Sequence, residues 1–468
     1  MPIHPPDKVL PAPARKDLPP PVRLRRMLGP GVILVGLSLG SGEFVLWPYL
    51  TSQWGFAVFW ACVIGVTVQF FLNMEIERYT LATGESAVTG FFRLSRIFGP
   101  VFLLCATLPW IWPGWATGGA ELLTWELGGT PVPFAIGSLI LVGLALSLGP
   151  VVYRTVETLQ LTLVSAIFVM LLILVAVVVR ADSLNALWEG LLGFGTVPEG
   201  IELPVLLGAL AFAGAGGATN LAQSNYIKDK GYGMGKWVGR ITSPLTGREE
   251  AVSEIGYAWN HHPENLAKWK VWWRRANLEQ FTSFYMLCLI SLTLFCLLTH
   301  ALLGENTELG EGLGFIEAEA AALEQRFGGW ARHLFLWTGV VVLLTTELGV
   351  LDAVTRVTVD VVKLTFLREN PRWTPTRLYF IILWSLIGFG ILVLSLGMDQ
   401  PMQLLVISAV LNATVMFLYS GLLLWLGLTT FRGPLRPGPI RIAALAFSFC
   451  FFGYFTVVTL IDKLSSTG

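Results

Sequence analysis

The chain has 468 residues, of which 54% are hydrophobic and 13% charged, with 31 basic and 31 acidic side chains. Apolar runs near 20 residues recur from Gly31 to Leu460, the composition of a polytopic helical membrane protein, and the ten-residue alternating segments of a membrane barrel are missing. The zero formal net charge singles out no partner beyond the lipid bilayer, and nothing in it points to nucleic acid.

In chain order, residues 1–28 are Pro-rich and basic, without the short apolar core and small-residue cleavage site of a signal peptide, and read as a disordered cytoplasmic tail. Hydropathy then predicts eleven helices, near 29–53, 54–78, 98–126, 131–150, 155–180, 202–228, 275–302, 331–365, 376–397, 402–430 and 439–462. They divide into a first five-helix repeat (29–180), an external loop (181–201), a second repeat (202–430), and an eleventh helix with a short tail (431–468). The second repeat carries a cytoplasmic segment at 229–274 and an external loop at 303–330. With the amino terminus inside, Arg93, Arg96, Arg154, the Lys228 to Arg275 segment, Lys363 to Arg377 and Arg432 to Arg441 all fall in cytoplasmic loops. That bias predicts an inner-membrane protein with its carboxyl terminus outside. The piece "WNHHPENLAKWKVWWRRANLEQF" reads as an interfacial helix whose Trp and Arg side chains sit at headgroup level. Cys62, Cys105, Cys288, Cys296 and Cys450 lie singly in apolar segments and read as packing residues, and no histidine sits mid-helix, which gives a zinc site little support.

Two helices carry interruptions. Helix one contains Gly40, Ser41, Gly42 and Glu43 in mid-span, and helix six contains Gly216, Gly217, Ala218, Thr219 and Asn220 at the equivalent place in the second repeat. Unwound backbone at mid-membrane depth survives only where it lines a cavity, so paired breaks point to a transport site. Glu43 is the one acid at either break, and an intramembrane acid is functional by default. Helix eight adds Thr345, Thr346 and Glu347 as candidates for holding a coupling ion or relaying protons, and Asp352 and Arg356 one turn apart, spaced to pair. Ser408 and Asn412 of helix ten are polar and bundle-facing. Helix three, with Pro109, Pro113 and three Trp, reads equally as a kinked packing helix or as a path lining.

The run "GPGVILVGLSLGSGE" resembles the first helix of the Nramp divalent-metal transporters, which opens on the same Gly-Pro-Gly and carries Asp-Pro-Gly-Asn at its break. Arg78 and Ala82 to Gly84 are similar to the family's Arg-x-x-x-Ala-Thr-Gly, and Asn220-Leu221 to the end of its Met-Pro-His-Asn motif. The resemblance covers nearly the whole chain and implies an all-α membrane protein of the LeuT type: a 5+5 inverted repeat plus one helix, with helices one and six broken. Carried across, the family's metal-binding Asp falls on Gly40, its Asn on Glu43, its Met on Gly217 and the adjacent His on Thr219. Loss of the soft sulfur ligand argues against a transition metal.

Two substrate readings stand. An anion such as bicarbonate would take the free N–H groups and positive dipole ends of the restarted helices, with Glu43 holding a coupled H+ or Na+. A hard divalent cation, Mg2+ or Mn2+, would take Glu43 and Asn220 with backbone carbonyls and water. The expectation leans to the anion, moved by a secondary-active symporter. No phosphate-binding loop is present, so ATP is not the driver and no cofactor beyond a coupling ion is expected. A membrane sensor that moves no ion is the rival from another class, and no motif supports an enzyme.

Overall fold

The computed structural model describes residues 3–24, 27–243, 250–305 and 312–466. Parts of the segment 229–274 and of the loop 303–330, and the extreme carboxyl terminus expected outside, lie beyond the described residues. Among the described residues nine helices are long and apolar enough to cross a membrane: Pro30–Trp54, Phe59–Thr83, Pro131–Leu148, Val152–Val178, Pro263–Leu303, Gly329–Thr365, Pro375–Ser395, Pro401–Thr430 and Pro439–Thr459. Two further crossings are assembled from shorter pieces. Helix three runs through Phe98–Thr107, Leu108–Trp110 and Gly114–Leu127, and helix six through Leu203–Ala211 and Gly217–Lys230. The nine and these two make the eleven predicted crossings.

Burial sorts the crossings into an inner and an outer set. The most apolar stretch of helix one is 100% buried and that of helix eight 78%, against 28% for helix five and 33% for helix four. Helices one and eight therefore form the centre, and helices four and five present Leu141, Leu144, Val169 and Leu172 outward. Helix three breaks where Pro109 and Pro113 withdraw two backbone N–H groups from the helical ladder.

Residues 3–24 depart from the expected disorder. Strand β1 (Ala14–Lys16) pairs in parallel with β2 (Tyr257–Trp259). Arg93 donates to the carbonyls of Pro6, Leu10 and Pro11 at 3.0, 3.3 and 3.0 Å. Trp272 Nε1 donates to Pro19 O at 2.9 Å. Proline lacks an N–H but keeps its carbonyl, so a Pro-rich strap is held through acceptors by cationic and indole donors. The strap lies across the side of the bundle that carries the basic loops, called here the basic side.

The Trp-rich stretch also differs from expectation. It forms a helix, Pro263–Gln280, continuous with helix seven. Trp269 and Trp272 are buried in protein, and Trp273 stacks on Trp269 while lying 4.1 Å from the Arg78 guanidinium and 4.8 Å from that of Arg441. These rings find protein partners in the strap and in helix two.

On the opposite side, helix Gly314–Phe327 lies outside the candidate spans and buries Glu319. Burial pushes the Glu319 carboxyl up to about 8, with the Thr299 hydroxyl pulling the other way. The folded protein thus keeps a proton that the unfolded chain releases above its ordinary value of 4.5. The resulting stabilisation is complete below that value, declines as pH rises toward 8, and is gone above it. Glu319→Gln stays neutral throughout, so its stability advantage over the parent should grow by on the order of 4 kcal/mol between pH 5 and 8. Denaturant titrations in detergent at the two pH values test this, and parallel pH profiles would refute it.

Candidate functional site

Helix one does not unwind at Gly40 to Glu43 as expected. It stays continuous and widens into a π-helical segment, Leu39–Leu46, so the backbone at these residues remains bonded along the helix. Small residues allow the widening because neighbours press in from both sides. A Cβ at Gly42 would lie 1.6 Å from Phe212 O of helix six, and one at Gly40 would lie 2.7 Å from Thr346 Oγ1 of helix eight. Thr346 fastens this contact by accepting from Gly40 N and donating to Gly36 O, both at 2.8 Å. Ser41 makes only a long contact to Ser38 O, at 3.5 Å.

Glu43 is fully buried in the π segment. Ser38 Oγ donates to its Oε1, Cys288 and Ser291 of helix seven stand beside it, and its Oε2 has no partner among the described residues. A carboxylate oxygen left bare in a membrane interior costs several kcal/mol unless something positive reaches it.

Helix six does break, between Ala211 and Gly217, with Gly216 at φ 74° and Gly217 at φ 50°. Two side chains from other helices satisfy the freed backbone. Gln69 of helix two donates to Ala211 O at 2.9 Å and accepts from Gly216 N at 3.1 Å. Asn412 of helix ten accepts from Ala218 N at 3.4 Å and itself donates to Ser408 O at 3.0 Å. A Cβ on Gly217 would come 1.7 Å from Asn412 Oδ1, which is why glycine stands there. Thr219 turns its hydroxyl back onto Ala215 O at 2.7 Å and onto Gly216 O at 2.5 Å. Asn220 Nδ2 donates to Tyr419 OH at 2.9 Å and to Gln69 Oε1 at 3.2 Å, and its Oδ1 is unpartnered among the described residues.

The arrangement corrects three expectations. Gly216 N and Ala218 N are taken by side chains, so these two groups at the restart of helix six are not free for an anion. Glu43 and Asn220 are not joined to each other: Glu43 faces helix seven, whereas Asn220 faces helices two and ten. Thr345, Thr346 and Glu347 do not converge on one ion, because consecutive helical residues point about 100° apart. Thr345 Oγ1 bonds Val341 O at 2.6 Å, Thr346 faces helix one, and Glu347 turns to a cavity of about 270 Å³ lined also by Trp115, Gly119 and Ser138. Among the described residues, neither Glu347 Oε1 nor Ser408 Oγ of helix ten has a hydrogen-bond partner.

Asp352 and Arg356 pair at 2.8 Å as part of a larger buried network. Arg356 also binds Asp229 of helix six, and Tyr379 OH of helix nine donates to Asp352 Oδ1 at 2.5 Å. Helix three contributes the stacked rings of Trp110 and Trp115, 5.4 Å apart, which abut Phe212 at the helix-six break. The indole N–H groups of Trp110, Trp112 and Trp115 donate to no described residue.

No family model matches the sequence, and no curated protein does. Solved structures do match over nearly the whole chain. A mutant of the manganese transporter of Eremococcus coleocola superposes with a TM-score of 0.71 at 13% identity, covering 97% of this chain and 91% of that one. The same transporter in complex with an aromatic bis-isothiourea compound gives 0.66 at 13%, covering 98% and 91%. Mhp1, a nucleobase-cation-symport-1 family transporter in a closed conformation with bromovinylhydantoin bound, gives 0.53 at 15%, covering 94% and 92%. The chain therefore has the LeuT-type membrane fold.

Proposed function

We propose that the protein is a secondary-active transporter carrying a hard, oxygen-coordinated cation of the Mg2+ or Mn2+ class by alternating access at the crossing of helices one and six. The observation that carries this reading is the bare Oε2 of Glu43, a buried acceptor in the π segment that packs on the helix-six break. Asn220 Oδ1 is a bare acceptor just beyond that break, turned to helices two and ten and not joined to Glu43. Acceptors without donors suit a cation, and carboxylate, hydroxyl and carboxamide oxygens suit a hard one. The similarity to a manganese transporter supports the same direction, while the glycine at 217 supplies no soft ligand. The basic side is taken to face the cytoplasm, with H+ or Na+ as coupling ion.

An anion such as bicarbonate keeps one observation in its favour, the three unpartnered indole donors of helix three. Proteoliposomes separate the readings. Uptake of Mg2+ or Mn2+ driven by an imposed H+ or Na+ gradient is expected, with no internal pH change on adding bicarbonate. Bicarbonate flux without cation flux would reverse the assignment, and no flux of any of the three would favour a sensor.

A further inference from the structure

Helix two carries Gln69, Asn73 and Glu77 four residues apart, hence on one face, and all three are buried. Gln69 belongs to the helix-six break; the other two do not. Both polar atoms of the Asn73 carboxamide lack a partner among the described residues. Glu77 receives one long hydrogen bond, 3.4 Å, from Gln223 Nε2 of helix six, whose Oε1 is left bare. Helix seven faces this group with Glu279, which accepts from Gly31 N at 3.1 Å, Ser283 Oγ at 2.8 Å and Gln280 Nε2 at 3.4 Å. Gln280 Oε1 is bare as well. The two carboxyl groups lie within electrostatic reach of each other. Helix one comes this close only through glycine, since a Cβ at Gly31 would sit 2.1 Å from Ser283 Oγ and 2.9 Å from Glu279 Oε1.

Neither acid has a cationic partner among the described residues. Arg441 and Lys230 are near enough to act on them through space, but Arg441 binds Glu75 at 3.1 Å, and Lys230 binds Glu157 and Leu28 O. Two buried carboxyls therefore stand beside three carboxamides with bare oxygens. Neutral amides flanking paired acids present acceptors in excess of donors, and that imbalance is costly unless a positive ion or proton supplies it. The bare carboxamide oxygens distinguish the two: a proton on either carboxyl leaves them unsatisfied, whereas an oxygen-coordinated cation engages carboxylates and carboxamides together. Neither sulfur nor imidazole is in the set.

We infer that Asn73, Glu77, Gln223, Glu279 and Gln280 form a second cation site, for an alkali or alkaline-earth ion, between helices two, six and seven on the basic side of the helix-six break. It is separate from Glu43 and does not depend on net transport. Glu77 lies eight residues beyond Gln69 on helix two, about 12 Å along the axis from the break.

The test is the thermal midpoint of the full chain in lipid nanodiscs, titrated with Na+, Mg2+ or Ca2+ against choline at matched ionic strength. A saturable rise with one of these ions is expected. Measured in a Glu43→Gln background, so that binding at the transport site does not contribute, its apparent Kd should increase at least about tenfold on adding Glu77→Gln or Glu279→Gln. Gln223→Leu removes a neutral oxygen and the long hydrogen bond to Glu77 while leaving both carboxyls in place, and should weaken binding less, which keeps the proposal testable if a carboxyl variant misfolds. No saturable rise with any of the three ions in the Glu43→Gln background, or a rise whose apparent Kd neither carboxyl variant changes, would overturn the site.

Discussion

Replacing Glu43 by glutamine is expected to lower cation uptake into liposomes by roughly a hundredfold, about 3 kcal/mol of lost charge interaction, without loss of fold. Glutamine fills the same volume and still accepts from Ser38 through its carbonyl oxygen. What disappears is the negative charge on the bare oxygen, which no neighbour replaces. The variant should express, keep its helical circular dichroism and elute as the parent does. Uptake within about threefold of the parent would remove Glu43 from the pathway and turn attention to Glu347, the other acid with a bare oxygen in the central helices.

Asp352→Ala is expected to destabilise the protein by about 3–5 kcal/mol, because it strips the Nε side of a buried guanidinium of its carboxylate and leaves only Asp229 to hold it. Arg356 is fully buried between Asp352 and Asp229, with the rings of Tyr226 and Tyr379 at 5.4 and 5.7 Å, and Tyr379 would lose its acceptor too. The network joins helices six, eight and nine, so its failure loosens three crossings at once. A guanidinium titration in detergent measures the loss. Changing all three charged members together, Asp352→Leu with Arg356→Met and Asp229→Asn, should recover much of it, because no buried charge is then left without its partner. A single-variant cost below about 1 kcal/mol would mean that the network is not bonded as described.

The eleven crossings were legible because apolar length alone marks them, and the helix-six break because Gly216 and Gly217 adopt left-handed backbone that few other residues accept. Helix one carried a similar glycine signature with a different outcome. Small residues permit close neighbours, and whether the backbone unwinds or widens is decided by what presses on it, here Phe212 O and Thr346. The partners of the break were invisible for the same reason. Gln69 and Asn412 come from helices two and ten, and only tertiary packing brings their carboxamides to Gly216 and Ala218. The polar face of helix two at 69, 73 and 77 has a regular spacing in the sequence, and a search for buried amides four residues apart would have found it. The strap eluded hydropathy because its bonds run through proline carbonyls, which composition reads as disorder.

The widened segment of helix one has a torsional consequence. Each π hydrogen bond spans one residue more than an α bond, so Leu39–Leu46 is wound less tightly than the helix on either side. Rewinding those eight residues to α geometry would rotate everything beyond Leu46 about the helix axis relative to everything before Leu39, and would lengthen the helix without parting it. Glu43 sits within the turning portion, so the same twist would carry its carboxylate away from Cys288 and Ser291 and around the axis. A helix that stays continuous can in this way act as a screw, presenting one acid to two directions in succession.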